Sequence, residues 1–366
     1  MRVLIDRHHH ALHESYHLTL VDRFGWELYA PYGMEWFDEG IWQFEKKFHG
    51  DAVARQYLDG IWGDSNDFLP VMDSGFGPYG IAVVDVRHPR RVLHGITLAE
   101  AREHKWDLVI SSLPHNDEGY HRFAQETGAK FGVQVGNNVQ QSRWDLADFI
   151  LSSSTLDGFG PEWVGKRFEY QGVPAVMYHQ EFSTDIFRPE WPPANRDEVA
   201  SWVNCFGEGP SYPDFLAFAR QYKDEFDFKV YGALGTYGGD EFQAGDVSWV
   251  PDVADTMRQA RVGWHTKHWS DGFGHAIHNW GSIGRPIIGY ARYYKDKLAG
   301  PLWDEGMTSF DIEGMSHEAL ADLLRLMRDD DDVHHRMSDN MAARFREIVD
   351  FDSEAATIRS LLESVA

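Results

Sequence analysis

The chain has 366 residues, 43% of them hydrophobic and 25% charged, and its 34 Lys and Arg against 58 Asp and Glu give a formal net charge of −24. That length accommodates two domains with sizeable cores, and the composition is that of a globular protein. A field of that sign repels phosphate backbones and anionic lipid heads, so duplex nucleic acid and membrane surfaces are disfavoured partners, and no apolar run is long enough to span a bilayer.

Met1-Arg2-Val3-Leu4-Ile5-Asp6 reads directly as a strand, so no signal peptide is expected ahead of it, and the single cysteine, Cys205, has no partner for an internal disulfide. A reducing cytoplasm is the expected compartment. The next helix carries Leu12, Tyr16, Leu20 and Phe24 as one apolar stripe that Gly25 ends, and His8, His9, His10, His13 and His17 crowd its start. Trp26–Tyr29 reads as a second strand. From about Gly33 to Gly80 the periodicity weakens into Gly, Asp, Pro and aromatic residues, an elaboration of the basic pattern. Regularity returns with strands at Ile81–Val84, Asp107–Ile110, Phe131–Val135, Phe149–Leu151 and Ala175–Tyr178, and helices at Leu98–His104 and Tyr120–Thr127. Apolar strands alternating with amphipathic helices imply a parallel sheet covered on both faces.

Phe187-Arg188-Pro189-Glu190-Trp191-Pro192-Pro193 reads as a stiff linker, after which the pattern restarts. Strands are expected at Trp202–Phe206, Phe228–Tyr231, Val247–Val250 and Val262–His265. Ser211 is placed to cap a helix bearing Phe215, Phe218, Ala219 and Tyr222, and a further helix runs from Val253 to Ala260. Ser316 caps a helix through Leu320, Leu323, Leu324 and Met327, and two more follow near Val333–Phe345 and Ser353–Leu362. The acidic run Asp329–Asp332 reads as a solvated turn between helices. Gly238-Gly239-Asp240-Glu241-Phe242 spells the signature of diguanylate cyclases, but it stands in a strand–helix repeat without their upstream metal-binding aspartate segment, so the match is coincidental.

The most informative stretch is Ser270-Asp271-Gly272-Phe273-Gly274-His275, a glycine loop opening a helix that Gly284-Arg285-Pro286 stops before the strand Ile287-Ile288. The first N–H groups of such a helix face the loop and suit a phosphate or diphosphate; the plain alternative is a loop–helix–strand connection with glycines for packing.

The order of elements resembles the GT-B fold of nucleotide-sugar glycosyltransferases, in particular the retaining branch that includes glycogen and sucrose synthases. Four segments carry the resemblance: Tyr178 to Pro189 at the end of the first domain, Asp271-Gly272-Phe273-Gly274, Trp280-Gly281-Ser282-Ile283-Gly284-Arg285-Pro286-Ile287-Ile288, and Arg336-Met337-Ser338-Asp339-Asn340. It implies an α/β protein of two Rossmann-like domains facing across a cleft, divided as 1–187 on the acceptor side and 188–345 on the nucleotide-sugar side. A C-terminal helix, 346–366, would pack back on the first domain.

The resemblance further implies a metal-independent transfer of a hexosyl group from a UDP-, GDP- or ADP-sugar, with retention and with no bound cofactor. His115, Asp271 and Lys267 take the catalytic positions, and Gly272, Phe273, Gly274, His275, Asn279 and Arg285 those at the donor. The family's E-x7-E acids align here as Asp271 and Asn279, so a neutral amide stands where the ribose acid is usual. The Arg and Lys that hold the diphosphate in the family are replaced by Gly207-Glu208-Gly209-Pro210-Ser211-Tyr212, which leaves Lys267 or Arg285 to supply that charge. His8, His9 and His10 fall where an acceptor-binding loop belongs. Their other readings are an inverting base, a metal site using the i,i+4 pair His13 and His17, and a solvated helix start. Trp36, Trp42 and Trp62 read as core area or as acceptor faces. Two other classes stand beside the transferase: a degenerate GT-B protein that binds without turnover, and a nicotinamide oxidoreductase, which the histidine-rich loop after strand one, lacking G-x-G-x-x-G, disfavours. The acceptor is not specified, and a modified nucleobase is among the candidates.

Overall fold

The computed structural model describes residues 1–6, 10–31, 68–72, 81–85, 92–96, 98–112, 117–136, 142–203, 206, 209–231, 238–245, 250–267 and 271–366. The chain divides into two compact units, Met1–Phe182 with Phe351–Ala366, and Ser183–Asp350. No described helix is long and apolar enough to cross a membrane.

The first unit is built on a ten-stranded sheet ordered β3-β4-β5-β2-β1-β6-β7-β8-β10-β9. The strands are β1 (Arg2–Ile5), β2 (Glu27–Pro31), β3 (Phe68–Met72), β4 (Ile81–Asp85), β5 (Val92–Ile96), β6 (Leu108–Ser111), β7 (Lys130–Val135), β8 (Phe149–Ser152), β9 (Arg167–Tyr170) and β10 (Val173–Met177). The helices between them are α1 (His10–Tyr16), α2 (Leu98–Arg102) and α3 (Asp117–Thr127). Val3, Leu4 and Ile5 of β1 and Leu108, Val109 and Ile110 of β6 are fully buried, as expected of parallel strands covered on both faces. The sheet is not parallel throughout: β4 pairs antiparallel with β3 and β5, and β9 with β10. The second departure has a local cause. Gln171 and Gly172, at φ 50° and 84°, make a two-residue hairpin turn whose twist matches that of the flanking strands.

α1 passes at His17 into a π-helical segment, His17–Arg23. A spacing of four overshoots the 3.6-residue α-turn and undershoots the wider i→i+5 turn, so the change of helix type returns Leu20 to the core beside Leu12 and Tyr16. The helix α10, Phe351–Val365, completes that core with Ile358, Leu361 and Leu362. Glu354 on α10 is buried and accepts from the His179 backbone N–H at 2.6 Å, and the His179 Nδ1 lies 2.8 Å from its other oxygen. Glu181 accepts from the Arg23 guanidinium at 2.7–3.0 Å and from the Thr19 hydroxyl at 2.9 Å. These bonds pin the segment leaving β10 to both ends of the unit.

The second unit carries a six-stranded sheet, β13-β12-β11-β14-β15-β16, parallel throughout. Its strands are β11 (Glu198–Ser201), β12 (Asp227–Tyr231), β13 (Gln243–Gly245), β14 (Val262–His265), β15 (Ile287–Gly289) and β16 (Ser309–Asp311). Its helices are α4 (Tyr212–Tyr222), α5 (Val250–Gln259), α6 (His275–Ile283), α7 (Ala291–Tyr294), α8 (His317–Asp329) and α9 (Asp331–Ile348). Its core gathers Phe215, Phe218, Phe228, Trp264, Ile288 and Leu324.

Three expectations are corrected here. β11 is Glu198–Ser201, not Trp202–Phe206, because the buried Glu198 pairs with Lys229 at 2.6 Å and so hides a core strand behind a charged residue. Val250 opens α5 instead of ending a strand, since Pro251 and Asp252 both suit a first helical turn. Ser211 stands at the start of α4 without a side-chain cap bond, whereas Ser316 does accept from Ala319 N–H at 3.2 Å. The Gly238–Phe242 run is a turn and one 3-10 turn that bury Phe242 between the parallel strands β12 and β13, not a hairpin tip. The acidic run is partly engaged, with Asp330 capping α9 and Asp331 paired with Arg196 and Arg261.

The carboxyl ends of β1 and β6 meet around two buried acids. Asp6 accepts from the Ser112 N–H and hydroxyl at 2.8 and 2.5 Å, and Asp117 accepts from the Ser111 hydroxyl at 2.7 Å and the Arg143 N–H at 3.0 Å. Burial, reinforced by Asp6 against these hydrogen bonds, pushes the Asp117 carboxyl up to about 7. The folded chain therefore binds this proton where the unfolded chain has released it, so stability falls as pH rises from about 4 to about 7. The loss amounts to a few kcal/mol, on the order of 1.4 kcal/mol for each pH unit crossed. Urea unfolding of Asp117→Asn across this range is expected to lack that slope; an unchanged slope would assign it to other groups.

Candidate functional site

Between β14 and α6 the chain builds a compact polar site. Gly274 takes the position before α6 at φ 76° and ψ 49°, a left-handed conformation that a side chain disfavours, and an added Cβ would also lie 3.0 Å from that of Ala299. Its carbonyl accepts the first helical bonds, from Ile277 N–H at 3.0 Å and His278 N–H at 3.1 Å. α6 is buried from Ile277 to Ile283, so the helix is a core element, and its N-terminal partial positive charge points along the loop.

Asp271 organises that loop. One carboxylate oxygen accepts from Gly274 N–H at 3.2 Å, and the other from the Tyr294 hydroxyl at 2.7 Å, with His265 Nε2 at 3.5 Å. The Tyr294 oxygen lies 2.8 Å from His265 Nε2, so His265, Tyr294 and Asp271 form one chain of polar contacts. The Asp271 backbone N–H donates to the Tyr293 hydroxyl at 3.2 Å, and its carbonyl accepts from Lys297. Burial by itself would raise the Asp271 carboxyl; His265, Lys267 and Tyr294 instead hold it well below the usual carboxylate range. Burial pushes the Tyr294 hydroxyl up, with the Asp271 charge adding to it, and pulls the His275 imidazole down to about 4 against the opposing pull of Asp271. His275 is therefore neutral at pH 7, able to donate or accept one hydrogen bond from each ring nitrogen.

The structure brings Lys267, Asp271, Gly272, Phe273, Gly274 and His275 together at this loop. Asn279 lies one turn into α6 from His275, on the same helix face, and is buried with its Oδ1 unpartnered among the described residues. Phe273 is buried, its ring stacked on His278 at 4.2 Å, and acts as the loop's anchor in the core. Arg285 is a correction. It follows the far end of the nine-residue α6, about 13 Å from the helix start at 1.5 Å per residue, and its buried guanidinium donates to the carbonyls of Ala260, Glu190 and Arg258 at 3.0, 2.7 and 2.7 Å. It ties strand, linker and helix ends together, with its guanidinium committed to these carbonyls at the end of α6 away from the loop. His8, His9, His115, Trp36, Trp42 and Trp62 lie outside the described residues, and His10 opens α1 with its side chain outside them as well.

Sequence reasoning missed His265, Tyr293, Tyr294 and Lys297. The available signal was the run Tyr290-Ala291-Arg292-Tyr293-Tyr294-Lys295-Asp296-Lys297 directly after β15, where hydroxyls and ammonium groups follow the carboxyl end of a central parallel strand.

No protein-family profile matches the chain, and no curated protein matches it in sequence. Solved structures match over its whole length. HepE from Anabaena, in complex with UDP and glucose, aligns over 100% of both chains at 10% identity with a TM-score of 0.59. An alpha-glucosyltransferase in complex with UDP and a 13-mer DNA containing a HMU base aligns over 99% of both chains at 10% identity with a TM-score of 0.58. Sucrose-phosphate synthase from Thermosynechococcus elongatus covers 100% of this chain and 98% of its own at 11% identity with a TM-score of 0.59. At such identities the likeness is one of fold: the chain is a two-domain α/β protein with the GT-B fold of these glycosyltransferases.

Proposed function

We propose that the protein transfers a sugar from a nucleotide-sugar donor to an acceptor hydroxyl. The feature that supports this reading is the Asp271–Gly274 loop at the N-terminus of α6, which we read as an anion site, in the second unit of a chain with a full-length GT-B fold. Glycosyl transfer breaks the bond between the anomeric carbon and a diphosphate oxygen, so positive charge builds on the sugar and negative charge on the leaving group. Fixed dipoles and cations aimed at the departing phosphate lower that barrier. The α6 N-terminus and Lys267 take this role, with neutral His275 as a hydrogen-bonding group beside them. Asn279 offers an uncharged partner for a ribose hydroxyl. Asp271 accepts at both carboxylate oxygens and is held ionised, so we read its part in catalysis as fixing the loop and its charge.

His115 at the reacting sugar and His8, His9 and His10 at the acceptor follow from the family resemblance, as do retention, hexosyl transfer and independence of a metal ion. A lone cysteine suits a cytoplasmic setting. The binder without turnover is favoured by two features, the absence of a cation from Gly207 to Tyr212 and the neutral Asn279 in place of the family's acid.

Thermal-shift assays with UDP-, GDP- and ADP-sugars, followed by assay of nucleotide release, separate the two. Stabilisation with release supports the transferase, stabilisation alone supports the binder, and no stabilisation by any donor rejects both. Asn279→Ala is expected to raise the donor KM about tenfold, the loss of one or two net hydrogen bonds, while kcat stays nearly constant. An unchanged donor KM would remove Asn279 from the site. Arg285→Met should lower stability by about 3 kcal/mol, by orphaning buried carbonyls, and leave nucleotide affinity unaltered. Weakened nucleotide binding without loss of stability would restore Arg285 to the donor site.

A further inference from the structure

The polar chain behind the Asp271 loop has a direction that hydrogen counting fixes. The Tyr294 oxygen lies 2.7 Å from Asp271 Oδ2 and 2.8 Å from His265 Nε2, and a hydroxyl carries a single hydrogen. The Asp271 carboxylate is held ionised and can only accept, so that hydrogen goes to Asp271. The Tyr294 oxygen then accepts from His265, and Nε2 must carry the imidazole hydrogen. The other ring nitrogen, Nδ1, is buried and has no partner among the described residues. A bare lone pair there costs less than an unmet N–H on a charged ring, so Nδ1 is left without a hydrogen. His265 and Tyr294 are 1% and 0% exposed, so neither side chain meets a ligand at the loop. The core sets their places. His265 ends the central strand β14, and the Tyr294 ring stacks on Trp303 at 5.5 Å and meets Tyr293 edge-on at 4.9 Å.

Two buried polar side chains are costly against apolar ones of the same shape, and here both hydrogens are directed towards one carboxylate. We propose that His265 and Tyr294 are positioning residues for the transfer step, a one-way relay from His265 to Tyr294 to Asp271 that holds the carboxylate in one orientation. The inference rests on the nucleotide-sugar reading and names residues that act on that site without touching the donor. With Oδ2 anchored by Tyr294, Oδ1 stays turned to the Gly274 N–H, and the left-handed residue that opens α6 is fixed relative to β14 and α7. Each bond in the row polarises the next, so the hydroxyl grips the carboxylate more strongly than it would without His265 behind it. A carboxylate that turned away would release Gly274 and shift the helix N-terminus against a departing phosphate. The relay thus governs how dipoles are aimed in the transition state, and it acts on kcat more than on donor KM.

Two measurements on the full chain test the relay. In the first, nitrogen NMR of isotope-labelled histidines at pH 7 reads the tautomer of His265, its signal assigned by the loss in His265→Leu. A protonated Nε2 with a bare Nδ1 is expected; the opposite tautomer, a mixture of the two, or hydrogens on both nitrogens overturns the proposal. In the second, nucleotide release is followed with whichever UDP-, GDP- or ADP-sugar the wild type turns over fastest. Tyr294→Phe should lower kcat about 10- to 100-fold, the loss of a hydrogen bond to a charged group, with the donor KM within about threefold of wild type. Tyr294→Phe also leaves the His265 N–H unmet, so its melting temperature falls. Adding His265→Leu removes that group and should recover stability without recovering kcat, and this double variant carries the same kcat test where the single one does not fold. An unchanged kcat in Tyr294→Phe overturns the proposal, as does a kcat that returns together with stability in the double variant. Failure of the nucleotide-sugar reading looks different: the wild type turns over none of the three donors. The tautomer then decides by itself, since Nε2–H keeps the relay as the device that fixes the loop and any other form removes it.

Discussion

The Asp271 carboxylate is the constraint around which the second unit's polar site is arranged. It joins three stretches far apart in sequence: the end of β14 through His265, the start of α6 through Gly274, and the segment after β15 through Tyr294. Each bond also satisfies a donor that burial would otherwise leave costly. The loop is therefore fixed by the protein's own contacts, and a fixed set of dipoles needs little reorganisation when charge develops beside it.

Local charge runs against the net charge here. A chain at −24 gathers Lys267 and Lys297 at one loop and keeps the surrounding acid engaged. Two buried arginines are spent on structure. Arg285 is buried in a nest of carbonyls, and Arg261 bonds the Met327 carbonyl and Asp331. Formal charge counts do not distinguish these uses; burial and partners do.

Much of the strand–helix order was legible because parallel strands read as unbroken apolar runs, as at Val3–Ile5, Leu108–Ile110 and Val262–Trp264. β11 escaped because its defining residue, Glu198, is a buried acid matched by Lys229 on the neighbouring strand, a pairing that only the register creates. The glycine loop and Asn279 were visible as a motif. Tyr294 and Lys297 were not, since their roles depend on a short helix folding back over a loop more than twenty residues earlier in the chain. Arg285 was misread for the complementary reason: proximity in sequence to the motif said nothing about which end of α6 it would occupy.

The excursion of residues 351–366 back to the first unit has a consequence for biosynthesis. Ile358, Leu361 and Leu362 fill the same core as Val3, Leu28 and Val176, yet they leave the ribosome only after the whole of Ser183–Asp350. The leading body of the chain thus waits, with an open apolar face, while the trailing body is translated and has its own sheet complete. Vectorial synthesis would let the unit encoded second finish first, and sealing of the unit encoded first becomes the terminal event of maturation.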